Sequence, residues 1–135
     1  MRALKTVMVE FMGKKVSCLA LFDTGSGYTV VQQAFFEKNF GVSWLKLPRT
    51  VKLYLINGKF VEADKYAQLT IIMDDVELLP PETVLIVDEF VEEVEVEGKR
   101  VSLPKLIIGS GTMDKYGITI DPKEGVKLTG ATLFL

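Results

Sequence analysis

The sequence predicts an all-β domain, a small closed or sandwich-like barrel carrying one or two short helices. Three observations point there. Apolar and polar residues alternate at period two through most of the 135 residues, the pattern of strands with one buried face. Turn signals recur at short intervals, at Met12-Gly13, Asn57-Gly58, Asp74-Asp75, Glu97-Gly98 and Pro122 to Gly125, which suits short strands joined tightly. Only Val31–Phe40 and Ser110–Tyr116 suit helices, each followed by a glycine (Gly41 and Gly117) that can close it. The length fits one domain over 1–135. With 48% hydrophobic residues it can build a core without disulfides or metal.

In chain order, Lys5 to Phe11 reads as a strand, Met12 to Lys15 as a turn, and Val16 to Phe22 as a nearly all-apolar strand buried on both faces. The polar, glycine-rich Asp23-Thr24-Gly25-Ser26-Gly27 ends it. The helix Val31–Phe40 follows. Pro48 opens a strand over Thr50–Ile56, Asn57-Gly58 is a strong hairpin signal, and Lys59–Ala63 returns, extending to Tyr66. Gln68–Met73 is a further strand before the Asp74-Asp75 turn. Pro80-Pro81 breaks the chain ahead of the strand Thr83–Val87. Residues 88–103 carry a dense acidic run, Asp88, Glu89, Glu92, Glu93, Glu95 and Glu97, and suggest a small exposed hairpin inserted as a solvated excursion. Leu106–Gly109 is a buried strand, Ile118–Asp121 and Val126–Leu128 are short strands, and the apolar tail Ala131–Leu135 is expected to dock against something.

Composition removes whole classes of chemistry. Histidine is absent, so no imidazole base, Ser-His-Asp triad or His-ligated metal is possible. The single cysteine, Cys18, forms no internal disulfide and reads as a core thiol. Lys and Arg total 16 against 18 Asp and Glu, unlike a basic nucleic-acid binder. No apolar run reaches the length of a membrane span, and Met1 to Lys5 alternates instead of opening a signal-peptide core. The expectation is therefore a cytoplasmic protein with no nucleic-acid or membrane partner, no metal and no cofactor. Carboxylates, hydroxyls, Lys or backbone must carry any catalysis.

Asp23-Thr24-Gly25 is where such chemistry would sit. The apolar strand Leu19-Ala20-Leu21-Phe22 delivers the carboxylate from the core to a surface cleft. Gly25 permits a sharp turn and a close approach, and Thr24 supplies a hydroxyl to brace it. Read alone, the tripeptide is also consistent with a tight turn after a strand. Ile108-Gly109-Ser110-Gly111-Thr112 resembles a phosphate loop only superficially, since Asp114 stands where a dinucleotide fingerprint needs its third glycine.

With its surroundings, the motif resembles the retropepsin-like aspartic proteases, single-domain relatives of pepsin. The order is the family's: Phe22-Asp23-Thr24-Gly25-Ser26, the helix, the Asn57-Gly58 hairpin, Leu106-Ile107-Ile108-Gly109, then Tyr116-Gly117-Ile118-Thr119-Ile120-Asp121. The resemblance spans about residues 4–128, apart from the acidic stretch. It implies a retropepsin-like barrel acting as a homodimeric endopeptidase on extended peptides, with Asp23, Thr24 and Gly25 as catalytic residues from each subunit. Two adjacent aspartates share one proton because both cannot ionise. One then activates water while the other polarises the scissile carbonyl. Thr24 would bond across to the other subunit. The hairpin residues Leu55, Ile56, Asn57, Gly58 and Lys59 would form a substrate-covering flap with Phe60, and Tyr54 is a candidate flap tyrosine. Ile107-Ile108-Gly109 would support the catalytic loop. Ser110 stands where retroviral members often carry an arginine that ties the dimer, a role the apolar tail could take over by forming an intersubunit sheet. The Ser26 hydroxyl is expected to donate to the outer oxygen of Asp23 and tune the pair. The alternative is a binding module of the same fold that grips a peptide without cutting it.

Overall fold

Two ten-residue strands, β1 (Arg2–Phe11) and β2 (Lys14–Asp23), open the chain as an antiparallel hairpin. The computed structural model describes residues 1–54, 58, 60–88, 93–102 and 104–129. Met12 and Gly13 both take positive φ at the tip, the geometry whose twist matches that of a hairpin's strands. β3 (Val30–Gln32) leads directly into α1 (Gln33–Phe40). β4 (Leu45–Tyr54), β5 (Phe60–Met73) and β6 (Val76–Val87) follow. A small hairpin, β7 (Glu93–Val96) and β8 (Lys99–Ser102), precedes β9 (Leu106–Gly109), α2 (Ser110–Tyr116) and the terminal pair β10 (Ile118–Asp121) and β11 (Gly125–Leu128).

The main sheet runs β1-β2-β9-β3-β6-β5-β4, and β1 also pairs with β5 through Met8↔Ile72. That second pairing joins β1 to the second half of β5 and closes the sheet into a barrel, with β4 left as an outer strand. β5 does double duty. Its second half closes the barrel against β1, while its first half runs out with β4 as a hairpin arm.

Side-chain alternation sorts the apolar residues into two clusters. Phe22, Phe36, Leu69, Ile71, Met73, Ile86 and Ile108 are fully buried and fill the barrel with α1 and α2 against it. Each such side chain contributes about 1.5–3 kcal/mol on burial. Leu21, Val30, Ala63, Leu85, Val87 and Ile107 point the other way and form a second cluster flanked by β4 and by Val96. Cys18 lies in the first cluster, and burial pushes its thiol up to about 11.

Several expected boundaries move. The first two residues assigned to the first helix, Val31 and Gln32, extend in β3 instead, because this strand pairs with β9 on one side and β6 on the other. Gly41 does end that helix, its N–H donating to Glu37 O. Pro48 lies within β4, where pairing with β5 shifts between Lys46 and Val51. Lys59–Tyr66 and Gln68–Met73 were expected apart, but β5 is continuous from Phe60. Pro80-Pro81 does not break β6. The β5–β6 register jumps between Leu69 and Ile71, and this irregularity takes up two residues that have no N–H to give. The acidic hairpin is no free excursion: Val96 is 6% exposed and packs in the second cluster, while its glutamates face out. β2 is buried on both faces only from Ala20 onward, and Leu19 is exposed. The tail Ala131–Leu135 lies outside the described residues. Among those residues, no helix is long and apolar enough to cross a membrane.

Candidate active site

β9 lies between β2, to which it is parallel, and β3, to which it is antiparallel. The segment from Asp23 to Thr29 must therefore arch over the end of β9. Asp23 is in register with Gly109 there, and Ser110 N–H donates to Ser26 O at 2.7 Å. A Cβ on Gly109 would lie 2.5 Å from Tyr28 O and 2.6 Å from Ser26 O, so glycine is what lets the loop and the strand meet. Beneath them Thr29 Oγ1 accepts from Gly109 N–H at 3.1 Å and shares a 2.5 Å hydrogen bond with Thr112 Oγ1. This buried hydroxyl pair joins the loop to α2. It carries no motif, and nothing in the local sequence marks it.

Asp23 is 5% exposed. Its Oδ1 accepts Gly25 N–H at 2.8 Å and its Oδ2 accepts Arg2 Nε at 3.3 Å. Both oxygens thus have partners within the single chain. Thr24 accepts from the Met1 amino group at 2.8 Å and donates from Oγ1 to Met1 O at 3.2 Å. The Ser26 hydroxyl donates to Tyr28 O at 2.8 Å. A hydroxyl has one proton, so the expected donation to Asp23 is not made. The reason is local: Ser26 N–H bonds Asp23 O at 3.1 Å, and the turn this closes brings Oγ to the carbonyl two residues on.

Asp23 borders two concavities. The first, about 470 Å³, is walled by Gly25, Ser26, Gly27 and Tyr28 of the loop, by Val30, Val87 and Ile107 of the barrel, and by Lys52, Leu53, Tyr54 and Val61 of the β4–β5 arm, with Arg2 beside Asp23. The stem of the expected flap therefore forms one wall of the cleft that holds Asp23, and Tyr54 belongs to that wall. At the tip, Leu55, Ile56, Asn57 and Lys59 lie outside the described residues. Gly58 is exposed with φ +83°. The second concavity, about 570 Å³, has Asp23, Thr24 and Gly25 on one side and Glu95, Glu97 and Asp121 on the other. Asp121 accepts backbone N–H bonds from Glu124 and Lys123, which hold its carboxyl below the usual range.

Arg2 was not singled out by sequence reasoning, yet its position follows from the first turn. A tight hairpin pairing Phe11 with Lys14 fixes every later pair, and nine residues on, Arg2 stands opposite Asp23. Tyr28 and Lys52 left no comparable signal.

Comparison with solved structures bears on the architecture. The retroviral protease-like domain of Ddi1 from Leishmania major superposes with a TM-score of 0.57 over 96% of this chain and 90% of that one, at 13% identity. The fold is retropepsin-like. The foamy viral protease-reverse transcriptase in complex with double-stranded DNA gives a TM-score of 0.47 at 13% identity, a likeness too loose to add to this. It covers 88% of this chain but only 16% of the viral one. No protein-family model matches the sequence, and no curated protein does.

Proposed function

We propose that the chain is an aspartic endopeptidase that works as a homodimer. The observation that carries this reading is the placement of Asp23. A carboxylate 5% exposed stands at the head of an apolar-walled cleft whose other wall is a hairpin stem. One chain supplies a single such aspartate. Hydrolysis of a peptide by carboxylates alone takes two, one ionised to deprotonate water and one protonated to polarise the carbonyl and then protonate the leaving amine. A two-fold axis beside the loop brings a second Asp23, with Thr24 and Gly25 of each subunit bracing the approach. The pair then titrates as a unit. The extended substrate lies in the cleft as a strand added along the β4–β5 stem.

The test compares wild type with Asp23→Asn on a peptide library from about pH 3 to 7, the range of shared-proton carboxylate pairs. Wild type is expected to cleave and the variant to fall to background while remaining folded. Cleavage by both would overturn the assignment of Asp23. Cleavage by neither, in a folded dimer, would favour the binding module. One contact speaks for that second reading: Arg2 occupies Asp23 Oδ2, where a catalytic oxygen would need to be open.

A further inference from the structure

We propose that the cleft takes extended peptides bearing a carboxylate side chain, and that Arg2 reads this carboxylate by leaving Asp23 for it. The consequence for catalysis rests on the endopeptidase reading; the recognition itself does not.

The cleft's charge is the first argument. Among the described residues lining it, Arg2 and Lys52 are cationic and Asp23 alone is anionic, against apolar walls such as Tyr54, Val61 and Ile107. The second is the incompleteness of the Arg2–Asp23 contact. It is made by Nε alone, to one oxygen, at 3.3 Å, longer than the roughly 2.7–2.9 Å of a strong charge-assisted bond and lacking the paired geometry a guanidinium prefers. The Arg2 side chain keeps 31% of its surface exposed, so its terminal NH2 groups can fork onto an incoming carboxylate. The third is Lys52. Its cross-strand neighbour is Glu62, yet it makes no ion pair within 4.0 Å among the described residues. Its ammonium sits instead 4.5 Å from the Phe60 ring centroid. Lys52, which is exposed, and Arg2, which is half-buried, both border the cleft.

The same exchange frees Asp23. Gly25 N–H takes one acceptor site of Oδ1 and Arg2 one of Oδ2, so the guanidinium competes with water or a second carboxylate for Oδ2. A substrate carboxylate is the group able to draw the guanidinium off. Charge is conserved in the swap, because one ion pair replaces another and no bond is made or broken. Selectivity and release of the catalytic oxygen then come from one movement.

The probe is a set of capped peptides of Val, Leu and Ser, about ten residues long to fill an extended cleft, scanned with a single Glu or its Gln counterpart. Binding by fluorescence anisotropy and cleavage are read on the same samples with the full chain. At one position Glu is expected to bind about tenfold tighter than Gln, as one forked ion pair in a water-poor site allows. That preference is expected to drop below about twofold in Arg2→Met and to weaken in Lys52→Met, whose exposed site carries little folding risk. The inference is overturned if wild type shows no Glu preference at any position, a result needing no variant, or if the preference survives both substitutions. Selective binding of Glu peptides without cleavage would sustain this inference and sink the endopeptidase. Cleavage indifferent to Glu and Gln would do the reverse.

Discussion

A methyl group on Gly109 would meet the Tyr28 and Ser26 carbonyl oxygens at 2.5 and 2.6 Å, and both belong to the backbone of the loop that carries Asp23. Neither can move aside without shifting that loop. Gly109→Ala is therefore expected to cost about 3 kcal/mol, the upper end for overpacking, and to lower the melting temperature by about 10 °C. Gly27→Ala in the same loop is the control, since nothing lies within 4 Å of its added Cβ. A Gly109→Ala protein that melts with the wild type would contradict the close approach of loop and strand. Ser26 gives the opposite expectation for activity. Because its hydroxyl serves Tyr28 O, Ser26→Ala should leave the acid limb of the pH–rate profile in place and cost at most about 1 kcal/mol for one exposed hydrogen bond. An acid limb that moves in Ser26→Ala would mean that the hydroxyl turns to Asp23 in the proposed dimer.

α1 is tied to the segment after it and to β5 by one carboxylate. Glu37 Oε2 accepts from Trp44 Nε1 at 2.8 Å and from Gln33 Nε2 at 3.0 Å, while Lys65 of β5 stands 5.1 Å over the Trp44 ring. The Trp44 bond, then the Gln33 bond, and the Lys65 charge after them, hold Glu37 below the ordinary carboxylate range. A depressed folded-state value means that the stabilisation is complete above the ordinary Glu value of about 4.3 and disappears as pH falls through the lower folded one. Trp44 is the only tryptophan, so its emission reports the event. An acid titration should show a step below about pH 4.3 while far-UV circular dichroism stays constant, and Glu37→Gln should abolish the step. A wild-type step at or above that value would refute the tie. At this scale the sequence was readable where structure is local. The Met12-Gly13 hairpin, the Asp74-Asp75 turn and the two glycine-ended helices all stand where residue chemistry puts them. It was unreadable where a partner strand decides. Whether Pro80 interrupts β6 depends on the β5 register, and whether Val31 and Gln32 are helical depends on β9 and β6 flanking their strand. The site divides the same way. Asp23-Thr24-Gly25 announces itself as a motif, and Arg2 follows from hairpin arithmetic. Lys52 and the Thr29–Thr112 pair reach the site only through non-local packing.

Over the whole molecule, the proposed chemistry makes a quantitative demand that a single chain cannot meet. Each barrel holds one Asp23 at the border of its cleft, so a centre built from a pair of Asp23 carboxylates exists only where two chains share it. Mass measurement by sedimentation tests association but not the sharing of a site. Mixing does test it. Wild type and Asp23→Asn, co-refolded in equal amounts, pair at random if the substitution spares the interface, giving two-fold dimers of three kinds. A shared site needs Asp23 from both chains, so only the wild-type dimers act, and activity per total protein falls to about a quarter of the pure wild type. Sites confined to one chain would leave about half, whether or not the chains associate. Across a full mixing series the first case follows the square of the wild-type fraction and the second a straight line. The curvature is independent of substrate choice and of how active the preparation is. A straight line in a protein that sediments as a dimer would reject the shared site and require Asp23 to work with groups of its own chain, of which Arg2 is the nearest charged side chain paired to it.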